Sequence, residues 1–224
     1  MNYGRAFSFV TEDPDWIKKI VIGGLVFLIP VVGLLALMGW GLEINRRIIT
    51  GETELLPEWS DFGTLIVNGL KELVVGIVYF LPALVVYGCG FASIFGVGAI
   101  GSSANIDGDT AGALLTGVMG CMYCFLFLFI IIGGLLLSPA TSVLAETGEI
   151  GAALKVGQVF GLFRAAIGPY LISLLLVGLA SSVASSIGSI ACGVGALVAT
   201  AYMVPVRHHL IAQAYKIAKA TTSA

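Results

Sequence analysis

Four cysteines and two adjacent histidines are the first side chains in this sequence whose types could do chemistry. Cys121 and Cys124 form a C-x-x-C spacing, which in other settings holds a metal or a redox disulfide. Here the pair sits inside an apolar run, where thiolates would be costly to desolvate. Only Cys89 and Cys192 remain to join them. The expectation is that these cysteines serve as small apolar residues. A Cys89–Cys192 disulfide stays open as an alternative, because both residues lie toward the outer ends of apolar runs. His208 and His209 are consecutive, so on a helix they point about 100° apart and cannot make a compact two-ligand site. With Arg207 they mark the polar exit of the last apolar run. An alternative has them meeting anionic headgroups together with Lys216 and Lys219.

Proton relays and transporters need polar groups at depth. Lys71, Glu72, Glu43 and Glu146 are the candidates by type, and each falls at an end of an apolar run, so all four are expected near the membrane surface. Deeper positions offer Tyr79, Tyr87, Thr116, Tyr123 and Tyr170, together with prolines at Pro30, Pro82 and Pro139 that could break helices and free backbone groups. No Ser-His-Asp, Cys-His, Walker or Rossmann pattern occurs. The sequence therefore assigns no catalytic residue, no cofactor-binding residue and no metal ligand, and the protein is not expected to be an enzyme.

The elements that carry these residues follow from composition. The chain is 58% hydrophobic and 11% charged, with a mean hydropathy of +1.03. Soluble domains carry about 25% charged residues. A chain this poor in charge cannot cover a globule with polar surface, so its solvent is lipid. No Asp, Glu, Lys or Arg occurs in 73–104, 110–145 or 165–206, and runs of about 18 apolar residues already suffice to cross a bilayer. The alternation expected of a transmembrane barrel is absent. Glu12, Asp13 and Asp15 before the first apolar run do not suit a signal peptide. A net charge of −2 gives a nucleic-acid partner no support.

The first apolar run, Lys18 to Arg47, has Pro30 near its centre and admits two topologies. If it crosses once, the chain has five transmembrane helices, an outside N-terminus, and its eleven basic residues divide eight to three. If it turns back at Pro30, all eleven fall on one face, which satisfies the positive-inside rule. Lengths agree with the second reading, since each half would reach only about 15–20 Å of a roughly 30 Å core. The expected architecture is therefore an all-α integral membrane protein with four full transmembrane helices. It adds an N-terminal short re-entrant helical hairpin and interfacial amphipathic helices. Residues 1–224 form one membrane domain, with hairpins at about 17–49, 64–147 and 166–218 and both termini cytoplasmic.

A repeated pattern supports this. The stretches beginning "YGRAFSFVTED", "WSDFGTLIVNG" and "ALKVGQVFGLFR" each place an amphipathic segment before an apolar run. Residues 149–164 read as one such helix, with Ile150, Leu154, Val156, Phe160 and Phe163 on its apolar face. Asp13-Pro14-Asp15 reads as a helix start. In the last hairpin Gly178, Ser182 and Ser186 repeat every four residues, as do Ala180, Ala184 and Gly188. Such spacing lets helices approach closely in lipid, and the expectation is packing within the hairpin, with an oligomer interface as the alternative.

"DPDWIKK" at 13–19, "IGGLVFLIPVVG" at 22–33, "LPEW" at 56–59 and "GLK" at 69–71 resemble a domain-of-unknown-function family of small integral membrane proteins, numbered 4013. The pattern of one amphipathic segment before each membrane pair is also similar to the membrane region attached to some glycerophosphodiester phosphodiesterases. That likeness implies architecture alone, since no hydrolase motif accompanies it. The family brings no activity and no catalytic residues. The expected function is that of a non-catalytic membrane protein, an accessory or organising subunit of a membrane assembly or a homo-oligomer. The alternative is a small transporter or channel built on proline-broken helices. Its expected partners are membrane lipids and either other membrane subunits or itself.

Overall fold

The computed structural model describes residues 1–103, 107–190 and 194–222. Those residues form helices α1 (Arg5–Glu12), α2 (Trp16–Phe27), α3 (Val32–Thr50), α4 (Phe62–Ser103) and α5 (Gly108–Thr147). The short helices α6 (Ile150–Ala153) and α7 (Val156–Ala165) and the long α8 (Ile167–Ile190) and α9 (Val194–Thr222) complete the set. No strand occurs among the described residues. Among the described residues, three helical segments are long and apolar enough to cross a membrane: Phe62–Gly96, Gly108–Thr147 and Ile167–Ser186. α9 is not among them, because Arg207, the two histidines and Lys216 interrupt its apolar character.

The chain divides into two compact units. The first, a helical body, comprises Met1–Gly76 and Leu135–Ala224; the second comprises Ile77–Gly134. In the body, α9 is the central strut and lies against α1, α2, α3, α7 and α8. Its neighbours explain its sequence. Ala201, Ala212, Ala214 and Ala218 are fully buried, and small side chains let several helices reach one axis.

The first apolar run folds back on itself. α2 ends at Phe27 and α3 begins at Val32, and their facing residues run antiparallel. Gly23 faces Leu37, and a Cβ at Gly33 would overlap the carbonyl of Val26. The reversal is a γ-turn: Val32 N donates to Pro30 O at 2.7 Å across Val31, whose φ is +64°. This form of the turn is rare and strained for a β-branched residue. Pro30 suits it, having no N–H to lose and a fixed φ.

The loop after α3 clamps the two arms at one level. Trp40 of α3 is fully buried, stacks on Trp59 at 5.1 Å and donates Nε1–H to Pro57 O at 2.9 Å. Trp59 donates to the carbonyl of Lys19 on α2 at 2.9 Å. Lys19 in turn is buried, pairs with Asp13 at 2.7 Å and Glu58 at 3.0 Å, and donates to Leu56 O. Burial alone would lower the Lys19 pKa, but hydrogen bonds and charge from Asp13 and Glu58 outweigh it and hold the ammonium above its usual value.

Several expectations change. Residues 1–16 hold a helix of their own: α1 buries Ala6, Phe9 and Val10, and α2 starts after Asp13 accepts from the N–H of Asp15. α4 continues unbroken through Pro82 and Gly88–Gly90. The single helix expected over 149–164 is two, α6 and α7, separated at Leu154–Lys155. They bury Ala153, Val159 and Leu162, and leave Val156 and Phe160 about half exposed. In α8, Gly178, Ser182 and Ser186 point outward, and a Cβ at Gly178 would meet nothing. Their hydroxyls bond their own helix, Ser182 to Gly178 O and Ser186 to Ser182 O, both at 2.9 Å. That stripe is therefore not the hairpin's packing face; Gly188 lies outside the residues whose side chains are described.

The second unit consists of the remaining turns of α4 and α5, each roughly 40 Å long at 1.5 Å per residue. Tyr79, Ala83 and Met122 are its buried apolar side chains. Gly133 lies flush against Phe80 and the Tyr79 carbonyl, and Gly90 against Met122. Most other side chains face outward, among them Tyr87, Phe91 and Phe95 along α4, where Tyr87 stacks on Phe91 and Phe91 meets Phe95 edge-on.

Candidate functional site

The helical body holds a buried polar centre that the positions of charge along the sequence did not reveal. Residues 139–145 of α5 are buried all round, because this stretch passes between other helices of the body. It brings Thr141 and Ser142 inside with no exposure. Asn45 of α3, equally buried, donates Nδ2–H to Ser142 Oγ at 3.3 Å. Asn45 Oδ1 and Thr141 Oγ1 have no hydrogen-bond partner. Unpartnered buried polar atoms are costly and rare, and each one asks for a reason.

Glu72 is the most consequential member. It falls at an end of an apolar run, yet it is 3% exposed, and its Oε2 has no hydrogen-bond partner. Its burial has a definite cause. α4 begins at Phe62, so Glu72 lies almost three turns inside it. Gly69, three residues earlier, presses on the Leu35 carbonyl, and Gly39 of α3 presses on that of Leu65. Residues three apart share a helix face, so the face that closes on α3 carries Glu72 inward with it. The legible signal was Gly69 preceding Glu72 by one turn. Arg207 of α9 lies within electrostatic reach of the carboxylate.

The remaining charged candidates are structural ties. Glu146 accepts from Tyr215 and Lys219, both at 2.6 Å, fastening α5 to α9. Lys71 donates to Gly148 O at 3.0 Å. Glu43 binds Arg46 at 2.7 Å and Arg47 at 3.1 Å, and Arg46 reaches on to Glu52 at 2.9 Å. Burial would raise the Glu43 pKa, but hydrogen bonds from the two guanidiniums prevail and hold it below the usual carboxylate range.

The histidines part company. A Cβ at Gly41 would overlap the His208 ring, so this imidazole lies flush on α3. His209 stacks on Phe9 of α1 at 4.3 Å. Each is buried with Nδ1 unpartnered. Tyr170 is buried in the body, and Thr116 bonds its own helix at Gly112 O. Tyr87 and Tyr123 are more than half exposed. The structure does not gather these hydroxyls into one site.

In the second unit, Cys89 of α4 and Cys121 of α5 line a shared open groove of about 680 Å³ with Gly90, Ser93, Gly117 and Met122. Cys89, Cys121 and Cys124 are free thiols. Cys192 lies outside the described residues, so the Cys89–Cys192 pairing does too. Among the described residues, no three His, Cys, Asp or Glu side chains come together.

Long apolar helices, a folded-back first run and an interior that holds polar side chains define a helical protein of membrane character. The family model described as "Protein of unknown function (DUF4013)" matches residues 22–193, well over half of the chain. The chain belongs to this family. No curated protein and no solved structure matches it.

Proposed function

We propose that this is a non-catalytic integral membrane protein that organises a membrane assembly, as an accessory subunit or as a homo-oligomer. The observation that carries the reading is the second unit. Its two helices, which carry Asp109 as their one charged residue, leave aromatic and aliphatic side chains outward on most faces. Two helices cannot bury one another, and lipid offers no hydrophobic drive to hold helices together, so close van der Waals packing decides association. A groove floored by Gly90, Ser93, Gly117 and Cys121 offers the small-residue surface that such packing uses. The outward Gly178–Ser182–Ser186 stripe of α8 adds a second surface of the same kind.

Native mass spectrometry of the protein extracted from its own membrane in mild detergent tests this. A stable complex with other polypeptides, or a defined homo-oligomer, supports it. A monomer carrying only bulk lipid rejects it.

The topology is part of the proposal. The α2–α3 hairpin enters the membrane and turns back at Pro30–Val31, α4, α5, α8 and α9 cross, and both termini are cytoplasmic. The antiparallel facing of α2 and α3, and their common clamp at Pro57–Trp59, support a turn over a single crossing. A cysteine placed at Asn2 should resist a membrane-impermeant thiol reagent in intact cells; labelling there rejects the model.

A transporter is the second reading, and Glu72 is its specific support. A carboxyl buried in the helical body, with an unpartnered oxygen and an arginine in reach, is what a proton or cation pathway employs. Flux in sealed liposomes that is lost in Glu72→Gln would favour transport. Equal flux in wild type and variant would exclude Glu72 from it.

A further inference from the structure

The helical body has a second polar feature, separate from Glu72. At the C-terminal end of α9, a cavity of about 500 Å³ opens between α1, the end of α3 and α9. Its polar lining comprises Asn2, Arg5, Glu52, His209, Gln213 and Lys216.

The charge balance of this cavity is uneven. Glu52 is its acid, and that carboxylate is already engaged by Arg46 at 2.9 Å, Arg47 at 3.7 Å and the Thr50 hydroxyl at 3.1 Å. Arg5 has no side-chain ion pair or hydrogen bond among the described residues. Lys216 spends one of its three N–H groups on the Ile48 carbonyl at 3.3 Å and has no acid partner among the described residues. Two cations therefore face one cavity without a free anion to balance them.

The cavity is also built. Asn2 N–H donates to Gln213 Oε1 at 2.9 Å and Gln213 Nε2 returns a bond to Asn2 O at 3.3 Å, which pins the N-terminal turn over α9. His209 is 4% exposed, held by its stack on Phe9, and its Nδ1 has no partner. Arg5 lines the same cavity as this ring. An arginine fork, a lysine and a neutral imidazole around a space of headgroup size are the donor set that a phosphate requires.

We propose that this cavity binds an anionic phosphate group, with Arg5 and Lys216 as its charged donors and His209 as the neutral one. The source that the surroundings favour is the headgroup of an anionic phospholipid, since Arg5 precedes the first apolar run of the chain and Lys216 follows the last. The histidine-and-lysine cluster foreseen for headgroups is thus divided. His209 and Lys216 join it and Arg5 completes it. His208 is taken by α3, and Lys219 by Glu146.

The test is native mass spectrometry of the full chain in mild detergent, titrated with phosphatidylglycerol, with phosphatidylcholine or with inorganic phosphate. Wild type should retain phosphatidylglycerol over phosphatidylcholine. Arg5→Gln, which leaves the Lys216 bond to Ile48 intact, should weaken this about tenfold, the scale of one charge-assisted hydrogen bond. Arg5→Gln with Lys216→Gln should abolish the preference, and Lys18→Gln, an exposed cation outside the cavity, should leave it unchanged. Binding of inorganic phosphate with the same variant pattern, and none of the lipid, would keep the phosphate site and assign it a soluble ligand. Loss in Lys18→Gln equal to that in Arg5→Gln, or no preference in wild type, overturns the proposal.

Discussion

Val31 shows how much a single residue can be asked to bear. It is 72% exposed, so little of the protein packs on its side chain, and its φ of +64° costs a β-branched residue free energy. Glycine adopts this conformation without a clash. Val31→Gly should stabilise the folded chain by about 1 kcal/mol, after subtracting glycine's greater unfolded-state entropy from the strain relieved. Thermal melting in detergent reads this directly, and a lower melting temperature would show that the turn is not strained. Gly69 is the opposite case. A Cβ there would overlap the backbone of Leu35, which cannot rotate away. Gly69→Ala should cost about 3 kcal/mol by forcing α3 from α4, and should loosen the burial of Glu72 with it.

At the scale of elements, the end of α3 is held by charge. Glu43, Arg46, Arg47 and Glu52 form one network, and Gly51 closes the helix in the left-handed conformation at φ +80°. Because Glu43 has its pKa lowered in the fold, its contribution is present above the ordinary carboxylate pKa of 4.5 and is lost as pH falls through the lower, folded value. Stability should therefore decline on acidification below about pH 4.5, and Glu43→Gln should lose about 1 kcal/mol at neutral pH while flattening that decline. Melting curves of both proteins between neutral and acidic pH check the sign. A second element-level consequence concerns the 56–59 loop. Trp40→Phe keeps the stack on Trp59 but leaves the Pro57 carbonyl unanswered, and should cost about 1–2 kcal/mol.

For the whole molecule, the two units divide the work. The body secures its helices around α9 and keeps polar groups inside, whereas the second unit turns its apolar residues out. Deleting the second unit should disturb assembly more than it disturbs the body, and replacing residues 77–134 by a short flexible linker tests this. The body should still melt cooperatively and the oligomer or complex should be lost; retention of the full assembly would place its contacts on the body.

The sequence alone determined the membrane class, the position of each long helix and the break at Pro30, because charge depletion and proline act locally and need no knowledge of neighbours. The family, too, was legible in "DPDWIKK", "LPEW" and "GLK", and these stretches prove to be the clamp and the crossing: Lys19 and Trp59 bind one another, and Gly69 meets α3. What only the tertiary structure decided is which polar residues are inside. Glu72 and Glu146 look alike in sequence, each at the rim of an apolar run. One is buried without a partner for Oε2 and the other is tied to Tyr215 and Lys219. The same holds for His209, which joins Arg5 across more than two hundred residues of chain. The physical reason is that burial depends on which helix closes over a side chain. In an apolar, glycine-rich chain many helix faces could pair equally well by composition, and the choice is made by backbone contacts such as Gly39 and Gly69, whose partners are distant in sequence.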